Sequence, residues 1–189
     1  MDKSAHISQL SLKYGFILAA VSIVLSLTLH FVNPVLVYTN FMVSIGIFIV
    51  FIALLVISGI NIRKEIGGFW TFGEAFKAFL IISLILAITA TLYNFVLMKF
   101  IDPDLPARAA AAIEDAQRAM MAKFGMGNDE IDAALEKGGN MQEKLEPNFK
   151  NTFTSFGVSI ASYGVISLIL AAILKRKEPE TFNTFPTEP

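Results

Sequence analysis

Three long stretches of the chain contain no aspartate, glutamate, lysine or arginine: residues 14–62, 78–98 and 151–174. A helix needs about 20 consecutive apolar residues to cross the hydrocarbon core of a bilayer. Hydrophobic residues make up 54% of the 189-residue chain and charged residues 16%, against about 25% charged residues in soluble domains. The sequence therefore predicts a membrane protein and excludes a soluble enzyme, a nucleic-acid-binding domain and a disordered chain.

The first uncharged stretch is too long for one span, and Asn33-Pro34 and Tyr38-Thr39-Asn40 divide it. Proline ends a helix because it lacks an N–H group and clashes with the preceding turn. We expect one membrane domain over residues 1–189, an all-α fold with four transmembrane helices and a helical insertion between the third and fourth. The predicted spans cover about residues 12–32, 41–62, 75–98 and 152–174, and the predicted insertion covers 99–150.

The basic residues outside the insertion predict the orientation of the spans. None of them lies in the short loop 33–40, and all lie near the two termini or in the loop between the second and third spans. They are Lys3, Lys13, Arg63, Lys64, Lys77, Lys175, Arg176 and Lys177. Because lysine and arginine stay on the cytoplasmic side, we expect both termini, including the tail 175–189, in the cytoplasm and the insertion outside it. The insertion has seven basic and ten acidic residues, but long segments cross largely regardless of charge.

Three short helices are predicted within the insertion. Asp102-Pro103-Asp104 is typical of a helix start, and the alanine-rich run 107–124 favours a helix. A second helix is expected over 129–137, ended by glycines, and a third turn near Met141. The apolar residues of this segment have two interpretations: contact with a partner outside the cytoplasm, or packing within the insertion and against the membrane surface. Those proposed for partner contact are Met120, Met121 and Phe124.

Small residues recur at helical spacing in the first and fourth spans, where they are predicted to pack against other helices. Small side chains let helix backbones approach closely in membranes. The two spans are therefore expected to contact each other or a further subunit. These helix-packing residues are Gly15, Ala19, Ser22 and Ser26 in the first span and Gly157, Ala161 and Gly164 in the fourth.

The first span also has a polar face, formed by Ser22, Ser26 and His30 at intervals of four residues. Ionisable groups inside spans are costly and are kept for a function, and His30 is the one such group here other than tyrosine. One interpretation is a polar path for a proton or a solute. The other is a histidine near the membrane interface, hydrogen-bonded to water or to a neighbouring helix.

A glycine- and phenylalanine-rich segment, 67–77, precedes the third span. Thr71 and Glu74 have the spacing of a capping box, in which each side chain bonds the backbone N–H of the other residue. The aromatic residues Phe69, Trp70 and Phe72 are expected either to contact a partner or to anchor the third span at the interface.

No catalytic motif is present in the sequence. It has no HExxH, Walker A or GxSxG pattern, no cysteine, and two histidines, His6 and His30. We therefore expect a protein that is not an enzyme, with no catalytic residue, no cofactor and no metal site.

The segment Gly67-Gly68-Phe69-Trp70-Thr71-Phe72-Gly73-Glu74-Ala75-Phe76-Lys77 resembles the signature G-x-x-(S/T)-F-G-x-A-F-K of the membrane family catalogued as domain of unknown function 4199. Residues 123–126, 129–131 and 135–137 resemble the outer helical segment of the same family. The resemblance covers nearly the whole chain and implies four spans and a bacterial inner membrane, in particular that of Bacteroidota. It implies no activity, ligand or catalytic residue.

The sequence leaves two function classes open. The first is a non-enzymatic inner-membrane protein that serves as an accessory subunit or an assembly or scaffold factor, with the lipid bilayer and other membrane subunits or copies of itself as partners and no nucleic acid. The alternative is a small oligomeric transporter or channel, whose path would include His30 and Ser26.

Overall fold

The computed structural model describes residues 2–177, which form helices and no strand. Four of the helices are long and apolar enough to cross a membrane. They are α1 (Lys3–Val32), α3 (Phe41–Glu65), α4 (Phe72–Val96) and α8 (Phe149–Leu174). The short helices are α2 (Leu36–Thr39), α5 (Leu105–Lys123), α6 (Asn128–Gly138) and α7 (Met141–Leu145), and a π-helical turn, Leu97–Ile101, extends α4. Most of the tail, 178–189, lies outside the described residues.

Three of the long helices begin several residues before the predicted spans because polar residues form their first turns. In α4 the predicted capping box is confirmed: the Glu74 N–H donates to Thr71 Oγ1 at 3.2 Å, and the Thr71 N–H donates to Glu74 Oε2 at 2.7 Å. The side chains of Asp2 and Asn148 accept bonds from the first turns of α1 and α8 in the same way. The helices therefore extend beyond the apolar stretches that predicted them.

Helix α4 packs against both α1 and α8 and is the centre of the bundle, whereas α3 contacts the other long helices much less. The approach of α1 to α4 is close at Gly15, because a Cβ atom there would lie 2.6 Å from Ile85 Cδ1. The approach of α3 is close at Gly59, where a Cβ atom would lie 2.4 Å from Phe79 Cζ. Small residues thus set the tightest helix contacts.

The two ends of the bundle differ, and we name them by what they contain. The basic end holds residues 2–11, 63–71 and 174–177, and the insertion end holds 33–40 and 97–148. The buried residues of the four long helices lie in a part of each helix that excludes the turns nearest the insertion end. These parts are 7–19 in α1, 55–62 in α3, 75–87 in α4 and 167–174 in α8.

At the basic end, Trp70 ties the start of α4 to the end of α8. Its indole N–H donates to the Leu174 carbonyl at 2.7 Å, and Arg63 Nη1 donates to the same oxygen at 3.1 Å. The backbones of Trp70 and Arg176 exchange two further hydrogen bonds of 3.0 Å. These bonds satisfy backbone groups that the end of a helix would leave free.

At the insertion end, α5 packs against α2, α6 and α7. Leu105 and Ala109 of α5 are buried, and Leu105 joins Leu97 and Met98 of the π-helical turn in a small second core. Arg118 of α5 forms a 2.6 Å ion pair with Asp132 of α6 on the exposed surface. The three helices predicted for this segment are therefore present.

Candidate functional site: a cleft between the long helices

Helix α3 leaves the bundle toward the insertion end, and a cavity opens where it does so. No residue of α3 before Leu55 is buried. The resulting space of about 320 Å³ is bounded by all four long helices, and we call it the inner chamber. Its walls are mainly apolar, with Phe51 of α3 and Leu86 of α4 among them, and Ser22 and Ser26 of α1 supply hydroxyl groups.

A second cavity of about 280 Å³, the outer chamber, adjoins the first toward the insertion end. Ser26, Tyr93 and Asn94 line both cavities, so the two are neighbouring parts of one cleft. The outer chamber adds more polar groups, from His30 of α1 and Tyr38 of α2. Apolar side chains make up most of the lining of both chambers, so the cleft is apolar with polar groups placed along its length.

A cluster of charged groups around Asp102 lies beside His30, at the end of the outer chamber that we call its mouth. The π-helical turn ends with a 2.7 Å bond from the Asp102 N–H to the Leu97 carbonyl. The Asp102 carboxylate accepts a hydrogen bond from Arg108 of α5 and lies 3.4 Å from His30 Nε2. Both the His30 and Asp102 side chains are largely buried, at 12% and 17% exposed. The cluster joins α1, α4 and α5 beside the cleft.

Two tyrosines bring hydroxyl groups to this region. The Tyr93 hydroxyl is buried and has no hydrogen-bond partner among the described residues. Such a group costs roughly 1–3 kcal/mol relative to a bonded one. Burial raises the pKa of the Tyr38 hydroxyl above its usual value, so that side chain stays protonated at neutral pH and can donate.

A third cavity, of about 210 Å³, lies between α4, α7 and α8. Tyr38 and Asn94 line it as well as the outer chamber. Lys144 and Asn151 add polar groups to its rim. Asn94 therefore stands at the point where the three cavities meet.

The small residues predicted for packing in α1 divide into two groups. Gly15 and Ala19 are buried against the bundle, where Gly15 faces α4. Ser22 and Ser26 are half-buried and line the cleft, and Ser22 Oγ also donates to the Ala19 carbonyl at 2.8 Å. These residues of α1 do not face α8, because α1 and α8 each pack on α4.

The small residues predicted for packing in α8 are less buried than Gly15 and Ala19 of α1. Gly157 and Ala161 are exposed, and a Cβ atom at Gly157 or Gly164 would meet nothing within 4 Å. This face of α8 has no packing partner within residues 2–177.

The aromatic residues before α4 have different surroundings. Trp70 is 1% exposed and belongs to the core at the basic end. A partner cannot reach it in this fold, although the partner-contact interpretation requires that. Phe69 is half-buried beneath the Arg176 guanidinium, 5.4 Å from its ring centre. Phe72 is 41% exposed and stacks on Phe76. Of the three, Phe72 is the residue that a partner could reach.

The apolar residues predicted for partner contact in the insertion lie at the end of α5. Phe124 is 80% exposed, Met120 is exposed and Met121 is half-buried. They form an apolar surface at the turn between α5 and α6, away from the cleft.

Sequence reasoning did not find Tyr93, Asp102 or Tyr38 as parts of one site with His30. The signal for this site in the sequence is weak, because Asp102 belongs to a predicted helix start and Tyr38 to a predicted break between helices. The position of Asp102 beside His30 follows the π-helical turn, which shifts the chain by one residue relative to an α-helix, whereas Tyr38 and Tyr93 precede that turn. Nothing in the local sequence specifies that turn.

The fold defines a class, an all-helical protein with four helices able to cross a membrane. A family model described as protein of unknown function, DUF4199, matches residues 13–176, and the chain therefore belongs to that family. This result confirms the family resemblance of the sequence. Curated proteins and solved structures gave no match.

Proposed function

We propose that the protein is a non-enzymatic subunit of a membrane complex, acting as an accessory subunit or as an assembly or scaffold factor. The observation that carries the proposal is the uncovered small-residue face of α8. Open space surrounds Gly157 and Gly164, and Ala161 between them is exposed. A helix of another subunit, or of a second copy of this chain, can approach such a face closely.

The insertion supports the same proposal with a second surface. Its exposed end around Met120 and Phe124 is apolar, and methionine-rich surfaces adapt to partners. The two surfaces are separate, one on a span and one on the insertion. A partner with both a transmembrane helix and an outer domain would contact both.

The proposed location is the bacterial inner membrane, with a source among the Bacteroidota. Both termini would lie in the cytoplasm and the insertion outside it. The basic residues at the basic end, among them Arg63, Lys64 and Arg176, support this orientation.

The test is purification of the tagged full chain from native membranes in a mild detergent, with native mass measurement and identification of co-purifying subunits. We expect a partner, or further copies of the chain, at fixed stoichiometry. The double variant Gly157→Leu, Ala161→Leu should release it, because leucines would hold the second helix away.

The matched control is Ser162→Leu, which places the same side chain on the exposed surface of α8 at a different angle around the helix. It should leave the complex intact. Elution of the unaltered chain always as a lone monomer would contradict the proposal.

A second candidate function is a small oligomeric transporter or channel. The observation that favours it is that Ser22, Ser26 and His30, the polar face predicted for α1, line the adjoining chambers. Several copies together would extend the cleft into a path. Flux of protons and small solutes into proteoliposomes should then be lower in His30→Ala and in Ser26→Ala than in the unaltered chain. Flux that is unchanged by both substitutions would contradict the transport function.

A further inference from the structure

We propose that the cleft is a binding site for one acyl chain, held with its hydrocarbon in the inner chamber and its carbonyl oxygen in the outer chamber. The ligand class is an acyl group, as in a free fatty acid or an ester lipid. This inference requires neither of the functions proposed above, because it concerns a ligand and not a subunit or a transported solute.

The size of the cleft fits a hydrocarbon chain but not a further helix. The inner chamber, about 320 Å³, is at the lower end of the range of ligand pockets, about 300–1,000 Å³. A helix with its side chains is about 10–12 Å wide and requires far more space. A hydrocarbon chain is thin and flexible, and the surrounding bilayer supplies it in abundance.

The walls of the inner chamber match such a chain. Phe51 and Leu54 of α3, Leu86 of α4 and Ile166 of α8 face the space from three sides. In a bilayer, however, an apolar wall gives no preference over the lipid outside, since lipid tails are equally apolar. Selective binding therefore requires a polar contact at one end of the chain.

The outer chamber supplies that contact. Asn94 is exposed and lines both chambers, and Tyr38 lines the outer one. An acyl carbonyl accepts hydrogen bonds and donates none, so it complements a phenolic O–H and an amide NH₂. The acyl carbonyl would accept from these donors while its chain follows the apolar wall.

The charged cluster at the mouth does not oppose an acyl head. Among residues 2–177, no aspartate or glutamate lines either chamber, and the Asp102 carboxylate beside His30 is bonded to Arg108. Its charge is therefore compensated before a ligand approaches. Both a carboxylate head and an uncharged ester are compatible with this mouth.

The experiment uses the full chain in nanodiscs and two probes with the same photoactivatable diazirine in mid-chain: palmitic acid and a phosphatidylethanolamine that carries it as one acyl chain. After irradiation, labelled peptides are mapped by mass spectrometry. We expect labelling concentrated in 21–26, 44–54 and 86–94, which line the inner chamber, and competition by unlabelled palmitic acid. Labelling by palmitic acid alone identifies a free fatty acid, and labelling by both probes identifies the acyl group in general.

Filling the cleft should abolish this labelling. Ser26→Leu places a branched side chain where the two chambers meet, and Ala90→Leu fills the α4 wall independently. Each should lower labelling of the chamber peptides at least fivefold. The control is Thr28→Leu, an exposed position on the same helix that lines none of the three cavities, and its labelling should equal that of the unaltered chain.

Removing the Tyr38 hydroxyl should weaken retention of the acyl head. For Tyr38→Phe we expect about fivefold weaker competition by unlabelled palmitic acid, with unchanged thermal stability. Tyr14→Phe is the control, because the Tyr14 hydroxyl bonds Glu65 at the basic end, far along the bundle. Equal competition in Tyr38→Phe and the unaltered chain would overturn the assigned hydrogen bond.

Labelling spread evenly over the lipid-facing helix surfaces, and unchanged in Ser26→Leu and Ala90→Leu, would overturn the proposal. It would mean contact with bulk lipid only. Thermal unfolding of every variant, measured alongside, separates loss of the site from loss of the fold.

Discussion

The two ends of the helix bundle are built differently. At the basic end the long helices are buried against one another and joined by polar bonds, among them the Trp70–Leu174 hydrogen bond and the ion pair of Lys3 with Glu74. Toward the insertion end the same four helices bury no residue over 20–32, 41–54, 88–96 and 149–166, and the chambers lie between them. The basic end therefore holds the four long helices together, and cavities separate them toward the insertion end.

This difference shows what drives helix packing in a membrane. Lipid is as apolar as leucine, so helices gain little from hiding apolar surface from it. Close contact and hydrogen bonds decide instead, and the basic end has both, at Gly59 against Phe79 and at Trp70. Toward the insertion end, α3 is bonded to α2, where Ser44 Oγ donates to the Val37 carbonyl at 2.7 Å, but no hydrogen bond joins it to another long helix among residues 2–177. Helix α3 therefore diverges from the long helices there.

The largest effect should follow from Trp70→Ala. Its indole is fully buried and donates the 2.7 Å bond to Leu174. Loss of a buried aromatic side chain costs about 3–5 kcal/mol in free energy of unfolding, measured by denaturation in detergent. Phe72→Ala, two residues away and 41% exposed, should cost less than about 1 kcal/mol, and equal losses at the two positions would contradict a closed basic end.

The comparison of Gly59→Val with Gly46→Val tests the two halves of α3 directly. A Cβ atom at Gly59 would meet Phe79 at 2.4 Å and Leu174 at 3.1 Å, whereas one at Gly46 would meet nothing within 4 Å. Overpacking should lower the free energy of unfolding by about 1–3 kcal/mol at Gly59 and leave it nearly unchanged at Gly46. If both valines destabilise alike, α3 does not diverge.

Asp102→Asn should loosen the mouth of the cleft without unfolding the basic end. It removes the charge that pairs with Arg108 and lies beside His30. Hydrogen bonds to charged groups contribute about 1.5–3 kcal/mol, so amide hydrogen exchange in 97–110 should rise about tenfold or more. Asp104→Asn, an exposed neighbour, serves as the control, and exchange that rises equally in both variants would assign no role to the cluster.

The smallest effect is expected for Arg118→Ala. Its 2.6 Å pair with Asp132 is half exposed on both sides, and exposed ion pairs contribute about 0–1 kcal/mol. Thermal unfolding should shift little, and the shift should shrink further in high salt. A loss comparable to that of Trp70→Ala would show that the insertion supports the bundle.

Much of the secondary structure was predictable because its signals are local. The break at Asn33-Pro34, the capping box at Thr71 and Glu74, and the glycines at 138 and 139 each coincide with a helix end. Alanine-rich composition predicted the long helix of the insertion. Such signals depend on neighbours in the sequence and not on how helices pack.

The site was less predictable because, apart from the Ser22, Ser26 and His30 face of the first span, the spans are largely apolar on every side. Where a span has no polar stripe, periodicity cannot distinguish a lipid-facing residue from a buried one. The sequence therefore predicts Trp70 as an aromatic residue at the membrane interface, although it lies in the core. The meeting of His30 with Asp102 depends on the π-helical turn and on distant parts of the chain, which no local pattern encodes.

The measurement that tests the open insertion end most directly is a nitroxide scan along α3 in nanodiscs. The chain contains no cysteine, so each introduced cysteine carries the sole spin label. Collision with dissolved oxygen should show helical periodicity over 54–65, with deep minima at Leu55, Gly59 and Ile62, and only shallow minima over 41–50, at the half-buried Val43, Ser44 and Ile47. Minima equally deep in both ranges would mean that α3 packs along its whole length and that no cleft opens beside it.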